Sequence, residues 1–449
     1  MWYAVAMKRK VKKRNLQLNK ERKGRGKKRG FGVAATFSIT LFIILSLGIA
    51  GILLLKLFLQ ETEENQVFAE GDYAQETIHL FREDISEQLR EDEVRKEETA
   101  PVPQPVSRYG EELSDADYMR ANKIYSMEGS VKDKVTIGFI GDFLLDDEYA
   151  IMANLLRRGR TIENGISEAM LAQMREVDIL VGNNEFPFTD RGTPTEGKAF
   201  TFRADTAAVS YLHDMGVDLA VLANNHIYDF GETGLLDTLD TLSAAEVPLV
   251  GAGRNIEEAS APVYFIVNDM KIAVVAATQI ERLENPDTKG ATENSAGVFR
   301  CLNPQKLYEV IARAKENSDF VIVYIHWGTE NQTEIDWAQI EQAPRIAEAG
   351  ADLIIGDHPH CLQGITYFGD TPAIYSMGNF WFNSKTVDTG MVRVTIGKEG
   401  LETFQFVPAL QSGCRVDLVY GEEKERILSL MRELSPDVLI DEAGFVSKK

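Results

Sequence analysis

Short, nearly continuous apolar runs alternate with amphipathic helical segments after Lys134, and this alternation limits the fold more than any other feature of the sequence. The runs predict strands at 135–140, 177–181, 217–222, 271–276, 320–325, 351–355 and 372–375. The intervening segments predict helices at 165–176, 206–215, 233–245, 304–317 and 337–349, with Gly216 and Gly350 at C-cap positions. Strands that are apolar on both faces are typical of sheets buried on both sides. We therefore predict an α/β domain with a mixed, largely parallel central sheet.

Polar residues follow the predicted strands repeatedly, where ligands bind in sheets of this kind. Four of the six histidines of the chain lie at these strand ends, whereas His79 and His213 lie on predicted helices and are expected to be surface or packing residues. The strand-end residues are Asp142, Asn183, Asn184, Glu185, Asn224, Asn225, His226, Asp229, His326, Trp327, Glu330, Asp357, His358, His360 and Asn379.

Imidazole and carboxylate groups on converging loops suit Zn²⁺, Mn²⁺ or iron. The His358-Pro359-His360 pair can direct one ring to each of two ions or both rings to one. Two ions about 3.5–4 Å apart can bind a phosphate ester and activate a bridging water. The alternative is that these polar residues only tie loops together by hydrogen bonds, an interpretation that fits Asn184, Asp229, Asp357 and Glu330 individually as well as a functional role does.

An uncharged stretch at residues 31–55 predicts a transmembrane helix. Its 25 residues would rise about 37 Å in a helix, enough to cross a hydrocarbon core of about 30 Å. A buried core helix would show a polar face, and a cleavable signal would have a shorter apolar region followed by a cleavage site. Because residues 8–29 are densely basic, we expect the N-terminus in the cytoplasm and the C-terminal domain outside the cell membrane.

The chain has a basic N-terminal segment and an acidic remainder. Residues 1–56 carry 14 Lys or Arg and one Glu, which leaves a formal charge of −34 for the remainder. This acidity argues against nucleic acid as a partner. We divide the chain into a basic cytoplasmic segment (1–30), the transmembrane helix (31–56), an acidic stalk with a Pro-rich linker (57–106), a lead-in (107–134) predicted to be helical through residue 128, the main domain (135–413) and a C-terminal tail (414–449). Cys301, Cys361 and Cys414 lack a CxxC pair, so both a disulfide and ordinary buried thiols fit them.

The strand-end motifs GD, NxE, NNHxxDxG, HWGxE, GxHPH and YSxGNF occur in this order between residues 135 and 407 and resemble the bacterial CapA capsule-synthesis family. The resemblance implies a calcineurin-like metallophosphoesterase domain, a four-layer α/β/β/α sandwich with a dinuclear metal site. It implies metal ligands at Asp142, Glu185 (bridging), Asn225, His326, His358 and His360, and a transition-state or leaving-group role for His226. Asn183, Asn224, Asp229, Trp327, Glu330 and Asn379 would line the site.

Two departures separate the chain from metallophosphoesterases. Phe143 and Leu144 follow Asp142, where Asp-x-His is usual, and Asn183-x-Glu185 replaces the usual second aspartate motif. The site therefore holds one divalent ion or two of unequal affinity, and the resemblance does not by itself imply phosphoesterase activity.

The family resemblance implies a membrane-anchored extracellular component of poly-γ-glutamate synthesis and export. Such a component would work with other membrane subunits and an anionic polymer. Two alternatives stay open: an exported metal-dependent phosphoesterase, and a non-catalytic scaffold of an export complex.

Overall fold

The computed structural model describes residues 107–280 and 288–449. The strands are β1 (Ile124–Met127), β2 (Lys134–Phe143), β3 (Ile179–Asn184), β4 (Leu219–Val221), β5 (Leu249–Val250), β6 (Ala252–Gly253), β7 (Val263–Val267), β8 (Met270–Thr278), β9 (Gly297–Val298), β10 (Phe320–His326), β11 (Leu353–Asp357), β12 (Ile365–Phe368), β13 (Thr371–Ile374), β14 (Asn379–Trp381), β15 (Val387–Gly397), β16 (Gly400–Ser412), β17 (Arg415–Leu418), β18 (Val438–Ile440) and β19 (Val446–Lys448). The α-helices are α1 (Gly110–Ser114), α2 (Ala116–Ala121), α3 (Ala150–Arg158), α4 (Glu168–Arg175), α5 (Ser210–Met215), α6 (Gly231–Ala244), α7 (Ile256–Ser260), α8 (Gln305–Glu316), α9 (Trp337–Glu348) and α10 (Gly421–Leu434). Two 3₁₀ turns lie at Ile162–Asn164 and Thr206–Val209.

Two large sheets form the centre of the described chain. The first has the order β1-β7-β8-β10-β11-β13-β12, and the second has the order β17-β16-β15-β2-β3-β4-β5, with β14 paired to β2. Within the first sheet β8, β10, β11 and β13 run parallel, and within the second β2, β3, β4 and β5 run parallel. The remaining pairs in the two sheets, apart from β1–β7 and β14–β2, are antiparallel. The predicted mixed, largely parallel arrangement is thus confirmed around β2 and β10, with an antiparallel edge on the second sheet.

The sheets pack face to face. Alternate residues of the central strands, such as Phe139 of β2 and Val274 of β8, share one buried core between the sheets. Helices α3, α4, α5 and α6 cover the outer face of the second sheet, and α7, α8 and α9 cover that of the first. The layers therefore run helix, sheet, sheet, helix, which is the predicted four-layer sandwich. Each central strand is buried on both faces, which explains its continuous apolar sequence.

Local signals set the helix ends. The capping box of α9 joins Asp336 to the backbone of Gln339, and the side chain of Gln339 returns to the backbone N–H of Asp336 at 2.9 Å. Helix α5 ends at Gly216, which adopts a left-handed conformation at φ 78°, as its sequence position predicted. The capping box fixes where α9 begins, and Gly216 fixes where the polypeptide leaves α5 before it enters β4.

The structure joins to the sandwich two segments that the sequence set apart. In the lead-in, the helical prediction through residue 128 is wrong at its end, because Ile124 is buried and β1 pairs with β7. In the C-terminal segment, β17 extends the second sheet and α10 packs Leu428 into the core between the sheets. Helix α3 and the long β15–β16 hairpin were not predicted from the sequence.

The transmembrane segment and the acidic stalk predicted from the sequence lie outside the described residues. Within residues 107–280 and 288–449, no helix is long and apolar enough to cross a membrane. The three thiols, Cys301, Cys361 and Cys414, are free, so the disulfide alternative is wrong for this structure.

Candidate metal centre

The carboxyl ends of both sheets converge on one cluster of polar side chains. Asp142 ends β2 beside Asn183 of β3, and Asn379 of β14 pairs with Asp142 on its other side. His326 ends β10, next to the β11 end from which His358 and His360 follow. The loop after β4 adds Asn224, Asn225 and His226. Residues separated by more than 200 positions in sequence thus meet because parallel strands end at the same edge.

Two groups of potential metal ligands share Glu185. One consists of Glu185, His326 and His358, and the other of Asp142, Glu185 and His360. Within each group the ligand atoms lie within 4.8 Å of one another. The shared carboxylate occupies the position that the family resemblance gives to a bridging ligand.

Glu185 provides the test of whether a cation fits. Its side chain is fully buried, and neither carboxylate oxygen has a hydrogen-bond partner in residues 107–280 and 288–449. Oε1 lies 3.6 Å from His326 Nε2 and 4.0 Å from His226 Nε2. Burial raises its pKa well above the usual range, and the charges of Asp142 and Asp357 add to the rise. A buried carboxylate without a partner is costly, and a divalent cation between the two groups would supply the missing charge.

His326 lies at the centre of the first group. Its Nε2 is 2.8 Å from Asn225 Oδ1 and 3.1 Å from His358 Nδ1, and its Nδ1 is 3.3 Å from Asn183 Nδ2. Burial lowers the pKa of His326 well below its usual range, and the neighbouring His358 and His360 lower it further. The imidazole is therefore neutral at physiological pH, which is the form that binds metal.

His360 is the histidine of the second group of potential metal ligands. Its Nδ1 lies 3.1 Å from Asp142 Oδ2 and 2.8 Å from Asn379 Oδ1. Burial lowers the pKa of His360, but the hydrogen bond and charge of Asp142 more than offset this, so the net shift is upward. His358 and His360 both have positive φ, at 102° and 58°. Such backbone conformations are costly for non-glycine residues and occur where the surrounding structure requires a side-chain direction.

His226 forms a separate pair with Asp229. Its Nδ1 is 2.7 Å from Asp229 Oδ2, and the Phe202 ring packs over the imidazole at a centroid distance of 4.3 Å. Burial lowers the pKa of His226, and Asp229 opposes this shift. Asn224 fixes the local backbone, because its Oδ1 accepts from the N–H groups of His226 and Ile227 at 3.1 and 3.0 Å.

Asparagines link the metal-ligand candidates to one another. Asn183 Nδ2 donates to Asp142 Oδ1 at 2.7 Å, and Asn224 Nδ2 donates to Asn183 Oδ1 at 3.0 Å. These amide hydrogen bonds orient Asp142, and neither of them involves the Glu185 carboxylate. Asn183, Asn224 and Asn379 therefore surround the ligand groups, as their sequence positions suggested.

Two residues predicted to line the site have other surroundings. Trp327 is a correction: it is buried in the core on the outer face of the first sheet, where its Nε1 donates to the Tyr375 carbonyl at 2.9 Å. Its position follows from strand alternation, because His326 and Trp327 point to opposite faces. Glu330 is exposed, and its relation to the site is a charge that helps raise the pKa of His360.

Several residues near the site gave no signal in the sequence. Lys198, on the loop after β3, is buried and forms an ion pair with Asp229 at 2.5 Å. Phe382 packs against the His360 ring at 5.1 Å and against Phe202 at 5.4 Å. Asp357, by contrast, is one of the strand-end residues that the sequence singled out, and it is fully buried and accepts a hydrogen bond from Tyr324. A lysine or phenylalanine in a loop carries no periodicity, so only the fold brings these side chains to the site.

The fold and the site together define an α/β/β/α sandwich protein with a histidine and carboxylate centre at the strand ends. The family described as "Bacterial capsule synthesis protein PGA_cap" matches residues 136–384, more than half of the chain. The chain therefore belongs to this family of bacterial capsule synthesis proteins, which confirms the resemblance found in its motifs.

Individual relatives agree with the family assignment. The chain is 29% identical over 291 residues to the "PGA biosynthesis protein CapA" of Bacillus subtilis (strain 168), covering 62% of this chain and 71% of that protein. It is 27% identical over 331 residues to the "Capsule biosynthesis protein CapA" of Bacillus anthracis, covering 71% and 77%. Among solved structures, a 5'-nucleotidase from Candida albicans SC5314 is similar with a TM-score of 0.33 and 12% identity over 63% of this chain and 53% of that one. A TM-score this low adds nothing to the description of the fold.

Proposed function

We propose that this chain is a membrane-anchored, extracellular component of poly-γ-glutamate capsule synthesis and export, with a divalent metal at the strand-end site. The family match and the similarity to the two CapA proteins support the capsule role. The basic segment followed by an apolar stretch at residues 31–55 supports the anchor and the orientation. The partners in this proposal are other membrane subunits of capsule synthesis and the anionic polymer.

The observation that carries the metal proposal is the fully buried, unpartnered carboxylate of Glu185. The residues that would hold metal are Asp142, Glu185, Asn225, His326, His358 and His360. Their imidazole nitrogens and carboxylate or amide oxygens suit Mn²⁺, Zn²⁺ or iron, and the two ligand groups offer room for one ion or two. A bound divalent ion would supply Lewis-acid stabilisation of negative charge on a carboxylate or phosphate oxygen.

The chain's own residues add two functions to this site. His226 is held through Nδ1 by Asp229, so its Nε2 faces Glu185 at 4.0 Å and is placed to accept a proton and then hold it at a substrate oxygen. Phe202 and Phe382 pack over His226 and His360 and exclude water from that side of the site. The positioned His226 also favours a second candidate function, an exported metal-dependent phosphoesterase.

The experiment that separates these functions uses Glu185→Gln in a host that makes poly-γ-glutamate from its capsule genes. We expect loss of polymer with Glu185→Gln and normal polymer with the control Glu402→Gln, a residue near Lys134 at the opposite end of β2. The purified chain is then given a chromogenic phosphate ester with Mn²⁺. Turnover that is lost in Glu185→Gln would support the phosphoesterase. Normal polymer from Glu185→Gln would contradict the proposal and favour a scaffold.

A further inference from the structure

We propose that Lys198 is a positioning residue that holds Asn225 and His226 in place and fixes the Phe202 loop over the site. The consequence for polymer production rests on the proposed function, whereas the position of the His226 ring does not.

Lys198 is one of the few buried amines of the described chain. Its side chain is 6% exposed, and its Nζ lies 2.5 Å from Asp229 Oδ1, a fully buried carboxylate. The same Nζ donates to the backbone carbonyl of Asn225. Lysines are rarely buried unless they are paired, because removing an ammonium group from water is costly. One amine thus connects the loop after β3 to the segment that carries a metal-ligand candidate.

Asp229 extends the connection to His226. Its Oδ2 accepts from the Phe202 N–H at 2.7 Å and lies 2.7 Å from His226 Nδ1. Its backbone carbonyl accepts from Thr195 N–H at 2.8 Å. Because a carboxylate paired with an ammonium group acts as an acceptor, His226 Nδ1 carries the proton in this arrangement. The Nε2 atom is then left unprotonated on the side of Glu185.

Removing the amine would release three groups at once. Asp229 would lose its cation and could turn, the His226 ring would lose its fixed tautomer, and the Asn225 carbonyl would lose a donor. The Phe202 ring, 4.3 Å from the His226 ring, is held by the same carboxylate through its backbone N–H. The contact between the Phe202 and His226 rings should therefore change when the Lys198–Asp229 pair is broken.

The chain offers a matched control in Lys271. Its side chain is 7% exposed and its Nζ lies 2.5 Å from Glu112 Oε2. Lys271 is near the start of β8, at the end of the strand opposite the metal centre. Lys271→Met therefore removes an equally buried lysine from a lysine–carboxylate pair without touching the site.

The test is NMR of the full-length, metal-free chain carrying ¹³C- and ¹⁵N-labelled histidine, with the His226 signals assigned from His226→Gln. We expect wild type to show an Nδ1-protonated tautomer and ring protons shifted by the Phe202 ring. Lys198→Met should lose both signatures, and Lys198→Arg should keep them, because its guanidinium can still pair with Asp229. Lys271→Met should also keep them.

Unchanged His226 signals in Lys198→Met would overturn the proposal, as would equal losses in Lys271→Met. If Lys198→Met does not fold, the double variant Lys198→Met with Asp229→Asn replaces it, because it removes both charges of the pair and leaves no unpaired buried carboxylate. Wild-type His226 signals in the double variant would also overturn the proposal. If the His226 signals of Lys198→Met change as expected but a host that carries Lys198→Met makes polymer normally, the positioning role stands and the proposed function of the site fails.

Discussion

Replacing Glu185 with Gln should change the stability of the chain in opposite directions with and without metal. A buried charged group without a partner costs about 1–3 kcal/mol or more. In metal-free protein Glu185 must either carry this charge or keep a proton that the unfolded chain releases, because its pKa is raised well above the usual range. Glu185→Gln removes that cost, so above the unfolded-state pKa of about 4.3 the variant should be the more stable protein. At about 2 °C per kcal/mol, its melting temperature should exceed that of wild type by a few degrees.

Bound metal should make wild type more stable than Glu185→Gln, which reverses the order expected in metal-free protein. An ion present at one hundred times its Kd stabilises wild type by about 2.7 kcal/mol, whereas the variant, which lacks the shared carboxylate, should gain little. The assay is thermal unfolding of the full-length chain in EDTA and in Mn²⁺. A variant that is less stable than wild type in EDTA would refute the reasoning, because Glu185 would then be making stabilising contacts of its own.

The same pair of proteins has a defined pH dependence. The folded-state pKa of Glu185 is raised, so metal-free wild type is most stable below the unfolded pKa of about 4.3 and loses stability as pH rises through the folded value. The advantage of Glu185→Gln in EDTA should therefore shrink as the pH falls. Asp178→Asn is the control: Asp178 accepts from Ser130 and Thr136 backbone N–H groups at 2.6 and 2.7 Å, so its loss should destabilise the chain with and without metal.

Three further outcomes are expected. Gly141→Ala should destabilise the chain by about 1–3 kcal/mol and weaken metal binding, measured by thermal unfolding and metal titration, since a Cβ there would lie 2.0 Å from the Gly378 carbonyl oxygen; wild-type behaviour would contradict this. The Cys301 thiol, buried and with a pKa raised to about 12, should resist alkylation in the native chain and react after unfolding, and rapid native labelling would count against its burial. Protease added to intact protoplasts should digest the C-terminal domain, and full protection would contradict the predicted orientation.

The sequence predicted the central strands well because β2, β8 and β10 are buried on both faces and their apolar residues are contiguous. Helix α3 was missed because it is only nine residues long and its N-cap residue, Tyr149, makes no side-chain capping bond. The β15–β16 hairpin has partly exposed positions and a turn that depends on Gly400 at φ 112°, so its pattern is weaker.

The sequence predicted which residues form the site better than it predicted where each side chain points. The strand-end rule placed Asp142, Glu185 and His326 together, because parallel strands end at one edge. It could not place Trp327, since one step along a strand reverses the direction of a side chain. Lys198 could not be found either, because its partner Asp229 is 31 residues away and only the folded loop brings the two together.

Metal content tests the central claim most directly. The full-length chain is incubated with Mn²⁺ or Zn²⁺, desalted and analysed for bound metal by elemental mass spectrometry, beside a variant carrying His358→Ala and His360→Ala and a control carrying His213→Ala, an exposed histidine of α5. We expect one or two ions per chain in wild type and in the control, and loss of most of this metal in the double variant. Wild-type protein without metal, or a double variant that retains it, would contradict the metal centre.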